Sequence, residues 1–178
     1  NETGVIQPID AIVEIAREAG VAVHSDMVQM LGKRHLDFAG SGLDFASLSA
    51  HKIGGPTGVG ALLVRSGRAM TSLLRGGGQE QGRRSGTENV IGIAGFGASA
   101  KAAFKDIAHF REMAGWRDAM ESRIGATRGD VTLFGAETNR IGNTSCLAVG
   151  ERSAETMVMA LDLAGADLER LDGAVQNR

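Results

Sequence analysis

The 178-residue chain has a single cysteine, two prolines, and no apolar run long enough to cross a bilayer. Cys146 alone rules out an internal disulfide, which fits a reducing cytoplasm. Net charge is −2 without any block of like charge, so no nucleic-acid or membrane surface is expected. The sequence opens with Asn-Glu-Thr-Gly, and neither Met nor a charged-then-apolar leader stands there. No signal peptide is read, and a fragment or a processed chain is expected. Internal repeats and low-complexity stretches are absent. So are a Gly-x-Ser-x-Gly elbow and any metal-ligand spacing among His24, His35, His109 and Cys146.

An apolar content of 43% is ordinary for a globular protein, and the length suits one domain or one domain plus part of another. Pro8 stands where a first helical turn begins, Ile12, Ile15 and Ala16 follow at helical spacing, and Gly20 is a natural stop. Val21 to Asp26 reads as a short strand ending in a carboxylate, and Leu43 to Lys52 as a second strand ending in His51-Lys52. Val59 to Arg65 reads as a third, largely buried strand. Alternating strand and helix argues for an α/β layer structure. After about Asn89 the composition becomes helix-forming through Arg128, with Phe96, Phe104, Ile107, Phe110 and Met113 as expected core contacts. Val131–Phe134 and Thr144–Val149 read as strands, and Ser153 as the N-cap of a helix that Gly165 ends. A large-domain piece over residues 1–95 and part of a smaller α+β domain over 96–165 are expected.

Asp26 and Lys52 each end a strand, and ligands of open α/β sheets bind beyond those ends. A carboxylate and a lysine meeting there suit pyridoxal phosphate: the amine can form a Schiff base with the aldehyde while the acid keeps the pyridinium nitrogen protonated. A helix-capping Asp26 and a plain surface Lys52 are the competing reading. Ser49 and His51 flank Lys52 as candidate phosphate donors, or as a turn former and a structural histidine. Gln29, three residues after Asp26, shares its face on a helical turn and is either a cofactor contact or a solvent-facing amide. The loop from Gly76 to Thr87 carries Arg83, Arg84, Ser85 and Thr87 among flexible glycines, which favours an anion or else a mobile solvated loop. It lacks the Gly-Lys-Ser/Thr ending of a nucleotide phosphate loop. Cys146, inside an apolar strand pattern, reads as a small hydrophobe.

The order of these signals is distinctive. Asn1-Glu-Thr-Gly-Val-Ile-Gln-Pro-Ile, His24-Ser-Asp-Met-Val-Gln, Ser47-Leu-Ser-Ala-His-Lys-Ile-Gly-Gly-Pro-Thr-Gly, and Gly76-Gly-Gly-Gln-Glu-Gln-Gly-Arg-Arg-Ser-Gly-Thr-Glu-Asn together resemble the NifS/IscS-type cysteine desulfurases. These form part of the class V branch of the fold-type I pyridoxal-phosphate enzymes. The resemblance covers about residues 1–165. It implies a central, mostly parallel sheet of a partial cofactor-binding large domain and part of a small C-terminal domain. It also implies Lys52 as the Schiff-base lysine, Asp26 at the pyridinium nitrogen, Gln29 at the phenolic oxygen, and Ser49 and His51 at the phosphate. Asn1 matches a residue near cofactor and substrate carboxylate, and Thr87 one that reaches the partner subunit's cofactor phosphate.

The implied reaction converts L-cysteine to L-alanine and an enzyme persulfide, in a cytoplasmic homodimer that supplies a sulfur acceptor or iron–sulfur scaffold. Cys146 does not match the family's persulfide cysteine, whose loop follows the Leu161-Asp-Leu-Ala-Gly helix end. Residues 166–178 diverge from that loop, and shifting the codons of Asp167–Asp172 by one base permits Ile-Ser-Ser-Gly-Ser; a frameshift near Gly165 is therefore expected. A chain inactive by itself follows from that expectation. A remnant that pairs with a full-length subunit, a selenocysteine lyase and an unrelated nucleotide-binding module are the alternatives.

Overall fold

The computed structural model describes residues 1–165. The divergent tail, where a frameshift is expected, lies outside the described residues. Two compact units are present: Gln7–Ala108, and Asn1–Ile6 together with the described chain from His109 to Gly165.

The Gln7–Ala108 unit begins with helix α1 (Ile9–Glu18), which starts after Pro8. Its inward residue is Val13, 5% exposed, whereas Ile15 is 68% exposed and Ile12 is exposed too. The sequence pattern thus located the helix but not its buried face: one turn in either direction places an apolar side chain, and only the neighbour at Gly42 selects Val13. Strands β1 (His24–Asp26) and β2 (Phe45–Ser49) pair in parallel, and β3 (Gly60–Val64) joins β2 antiparallel, giving the order β1-β2-β3. The chain is thus mixed α/β with a partial parallel sheet. Leu43, Ala46 and Ala50 are fully buried and form the centre of the unit with Val13.

β3 departs from its expected burial: Gly60, Ala61 and Leu62 are exposed. A continuous apolar run has no period to separate a core strand from an edge strand, and among the described residues β3 pairs on one side only. Asp44 closes the base of the sheet. Its carboxylate accepts the Val23 N–H at 2.8 Å and binds Arg68. The Val23 bond first, and Arg68 after it, hold its carboxyl below the usual range.

Helix α2 (Val90–Lys105) is capped by Asn89, whose side chain accepts the Gly92 N–H at 3.0 Å. It packs on a short 3₁₀ turn, Ala50–Ile53, that follows β2 and carries His51 and Lys52. Phe104, expected in the core, is 64% exposed, because α2 turns the opposite stripe inward, with Ser99 against Gly55 and Gly95 against Pro56 just after this turn.

The other unit contains most of helix α3 (Ile107–Thr127), the antiparallel pair β4 (Val131–Leu133) and β5 (Leu147–Val149), and helix α4 (Ala154–Leu163). The N-terminal segment joins it through a bridge between Val5 and Arg140. Ile141 and Val149 are its buried apolar residues. Glu121 is 5% exposed and takes both Arg140 guanidinium nitrogens, at 2.8 and 2.7 Å, and the Ser145 hydroxyl at 2.7 Å. Ser153 caps α4 by accepting the Thr156 N–H, as its position before the helix led one to expect.

Candidate active site

Parallel pairing of β1 with β2 brings the carboxyl ends of both strands to one edge of the sheet. Asp26 lies opposite Ser47, so His24, Asp26, Phe45, Ser47 and Ser49 share one face. Asp26 is exposed, and its Oδ1 accepts the Val28 N–H at 2.9 Å, which turns the chain sharply after β1. The turn places Gln29 beyond the strand end, half-buried.

On β2, the backbone passes from extended at Ser49 into the 3₁₀ turn, and Gly54, at φ +73°, ends that turn in the left-handed region that glycine tolerates. Lys52 therefore projects from a single tight turn just past the strand, and it is exposed. The Ser49 hydroxyl and His51 Nδ1 are 2.7 Å apart, so the two side chains hold each other as one polar unit. A second pair, His24 Nε2 and Ser47 Oγ, also 2.7 Å apart, lies beside it on the same face.

Among the expected site residues, Asp26, Gln29, Ser49, His51 and Lys52 all follow the two strand ends. Thr87 is exposed on the segment leading into α2. Asn1 belongs to the other unit, is exposed, and donates from Nδ2 to Glu2 Oε1 at 2.8 Å.

Three residues near the strand ends were not among the expected ligands: His24, Ser47 and Lys33. Lys33 donates from Nζ to Gln29 Oε1 at 2.9 Å. Burial first, and the charge of Lys52 second, push its ammonium below the usual lysine range. The signal that could have found it is the i, i+4 spacing of Gln29 and Lys33.

The glycine-rich loop is tied to itself. Arg84 Nη1 donates to Gly86 O at 2.7 Å, Ser85 Oγ donates to Gly77 O at 3.0 Å, and Gln79 Oε1 accepts the Gly86 N–H at 3.3 Å. Glu80 and Gln81 hold φ of +50° and +57°, a conformation that costs non-glycine residues roughly 1 kcal/mol or more each. Arg84 and Ser85 are thus engaged within the loop, and Arg83 is exposed. Cys146 is half-buried and its carbonyl accepts the Phe134 N–H at 2.9 Å, extending the β4–β5 pair.

The groups at this sheet edge fit the chemistry of a pyridoxal phosphate: an exposed amine one turn past one strand, a carboxylate ending its parallel neighbour, and hydroxyl, imidazole and amide groups on the same strand ends and turns. The class-V aminotransferase family model matches residues 1–170, and the chain belongs to that family. Within it the likeness is to cysteine desulfurases. One from Cereibacter sphaeroides is 42% identical over 166 residues, covering 93% of this chain and 42% of the relative. The cysteine desulfurase NifS of Azotobacter vinelandii is 38% identical over 166 residues, covering 93% and 41%. The crystal structure of a NifS-like protein from Rickettsia africae superposes with a TM-score of 0.85 at 34% identity, over 91% of this chain and 45% of that one. The chain thus spans less than half the length of the curated relatives it matches. Members of this family use pyridoxal phosphate.

Proposed function

We propose that this chain carries the cofactor-holding part of a pyridoxal-phosphate-dependent cysteine desulfurase. The carrying observation is the placement of Lys52 one turn past β2 with Asp26 at the end of the parallel neighbour β1. When bound, the cofactor supplies an electron sink for the bond being broken in an amino-acid substrate. Lys52 would hold the cofactor's aldehyde through its amine and move a proton at the substrate's α-carbon. Asp26 would keep the ring nitrogen protonated, the Ser49–His51 pair would hold the phosphate, and Gln29 would donate to the phenolic oxygen. The assignments of Asn1 and Thr87, the latter toward a partner subunit in a homodimer, rest on the resemblance alone.

The proposed reaction takes L-cysteine to L-alanine, with the sulfur passing as a persulfide to an acceptor such as an iron–sulfur scaffold, in the cytoplasm. Cys146 is not the persulfide residue in this reading, because its half-buried place beside β5 suits packing. Among the described residues no helix is long and apolar enough to cross a membrane.

Borohydride reduction in the presence of pyridoxal phosphate, followed by peptide mapping, tests the reading. A reduced adduct on Lys52, lost in Lys52→Ala, is expected. An adduct spread over several exposed lysines, unchanged in Lys52→Ala, would contradict it.

A further inference from the structure

Lys33 is the only lysine among the buried residues described, at 8% exposure, and it sits behind the residue assigned to the cofactor's phenolic oxygen. A buried ammonium is costly, and an apolar side chain of similar length would pack in its place without that cost. Its position is also built deliberately into the backbone. Gly32, at φ +73°, lies so close to α2 and the 3₁₀ turn that a Cβ there would meet Ala103 Cβ at 2.7 Å and Ile53 Cγ2 at 3.0 Å. The turn carrying Lys33 is therefore seated directly against the residue that follows Lys52.

The chemistry of the Lys33–Gln29 contact has a definite direction. A lysine ammonium has three donors and no acceptor, so the amide oxygen of Gln29 must face it. The Nε2 end, with both N–H donors, then points away from Lys33. A glutamine without that partner can rotate its amide by half a turn and present the oxygen instead, which would repel an anionic phenolic oxygen. The cation on Oε1 also polarises the amide and strengthens its N–H donors.

We propose that Lys33 is a positioning residue of the cofactor site, clamping the Gln29 amide so that its N–H groups, and not its oxygen, are offered to the cofactor's phenolic oxygen. This inference rests on the cofactor reading of the site and deepens it.

The test has two arms. In the cofactor-free chain, the side-chain amide signals of Gln29 are followed by NMR in the unaltered protein, Lys33→Met and Lys33→Arg. Lys33→Met is expected to shift and average the Gln29 pair, and Lys33→Arg, which keeps a charged donor, to restore much of the original signal. In the second arm, pyridoxal phosphate is added and the visible absorption bands and the affinity are read. Lys33→Met is expected to change the ratio of the bands and to weaken binding by about 3- to 10-fold, the range of one net hydrogen bond. In a Gln29→Leu background the same substitution should add little, because Lys33 acts through Gln29. A Gln29 amide indifferent to Lys33→Met overturns the clamp even when the cofactor binds. Additive effects of the two substitutions overturn its action through Gln29. An unaltered chain that takes up no pyridoxal phosphate on Lys52 overturns the functional reading, and with it the claim that the clamp serves a cofactor.

Discussion

In the unit that holds α3, β4 and β5, Glu121 meets Arg140 and Ser145 in the interior, whereas in the Gln7–Ala108 unit Asp26, His51 and Lys52 stand exposed at strand ends. The first set bonds inside the fold: two guanidinium nitrogens of Arg140 and the Ser145 hydroxyl converge on one carboxylate, and among the described residues Arg140 Nε is left without a partner. The second set bonds only to near neighbours, Asp26 to Val28 and His51 to Ser49, which orients the groups and leaves them facing outward. Polar groups that are buried and mutually satisfied hold a fold together; those that are oriented but exposed are available to a ligand.

Removing one partner of the interior set should have the largest effect. Glu121→Ala strands a buried guanidinium, and a loss of about 3–5 kcal/mol is expected in urea unfolding. The same carboxylate gives the contrast a pH signature. The Arg140 bonds, with Ser145 adding to them, lower Glu121 from 4.5 to about 2 in the folded chain. Its stabilisation is therefore fully present above pH 4.5 and is lost as pH falls toward about 2. Glu121→Gln should flatten that part of the stability profile; an unchanged acid limb would place the titration elsewhere.

Asp44→Asn leaves the Arg68 guanidinium without its carboxylate and weakens the Val23 bond, and a loss of about 1–3 kcal/mol is expected by the same unfolding measurement. Ser153→Ala removes the cap of α4 and should cost about 1 kcal/mol. Lys52→Ala should change stability by less than about 0.5 kcal/mol while abolishing the borohydride-fixed adduct. A large stability loss in Lys52→Ala would erase the distinction between the two sets, since it would make Lys52 a structural residue.

Much of the site was legible before the structure. A carboxylate and a lysine at the ends of two short apolar runs are visible in sequence, because strands are local and their ends are marked by polar and glycine residues. The α/β alternation gave the layer structure, while the parallel pairing that sets Asp26 beside Ser47, with Lys52 one turn past the end of β2, was implied by the resemblance. The burial of Lys33 was not legible for a physical reason: Gln29 and Lys33 at i, i+4 look like any exposed polar pair, and the seat of the turn that carries Lys33 depends on Gly32 meeting Ala103, which is seventy-one positions further on. The arginines of the glycine-rich loop read either as anion ligands or as part of a mobile loop, and that Arg84 is bonded to Gly86 could not be read from sequence.

Local physics was enough to determine the cap at Ser153, the strand end at Asp26, and through the motif order the family itself, whereas the second strand, expected to run to Lys52, ends at Ser49 because the chain there turns into the 3₁₀ turn that carries His51 and Lys52. The tertiary structure decided which apolar faces are inside: Val13 over Ile15, α2 turned so that Phe104 faces out, and β3 left as an exposed edge. It also decided that Lys33 and Glu121 are buried. Periodicity records only that one side of an element is apolar, whereas burial depends on what packs against it, and those partners come from distant parts of the chain.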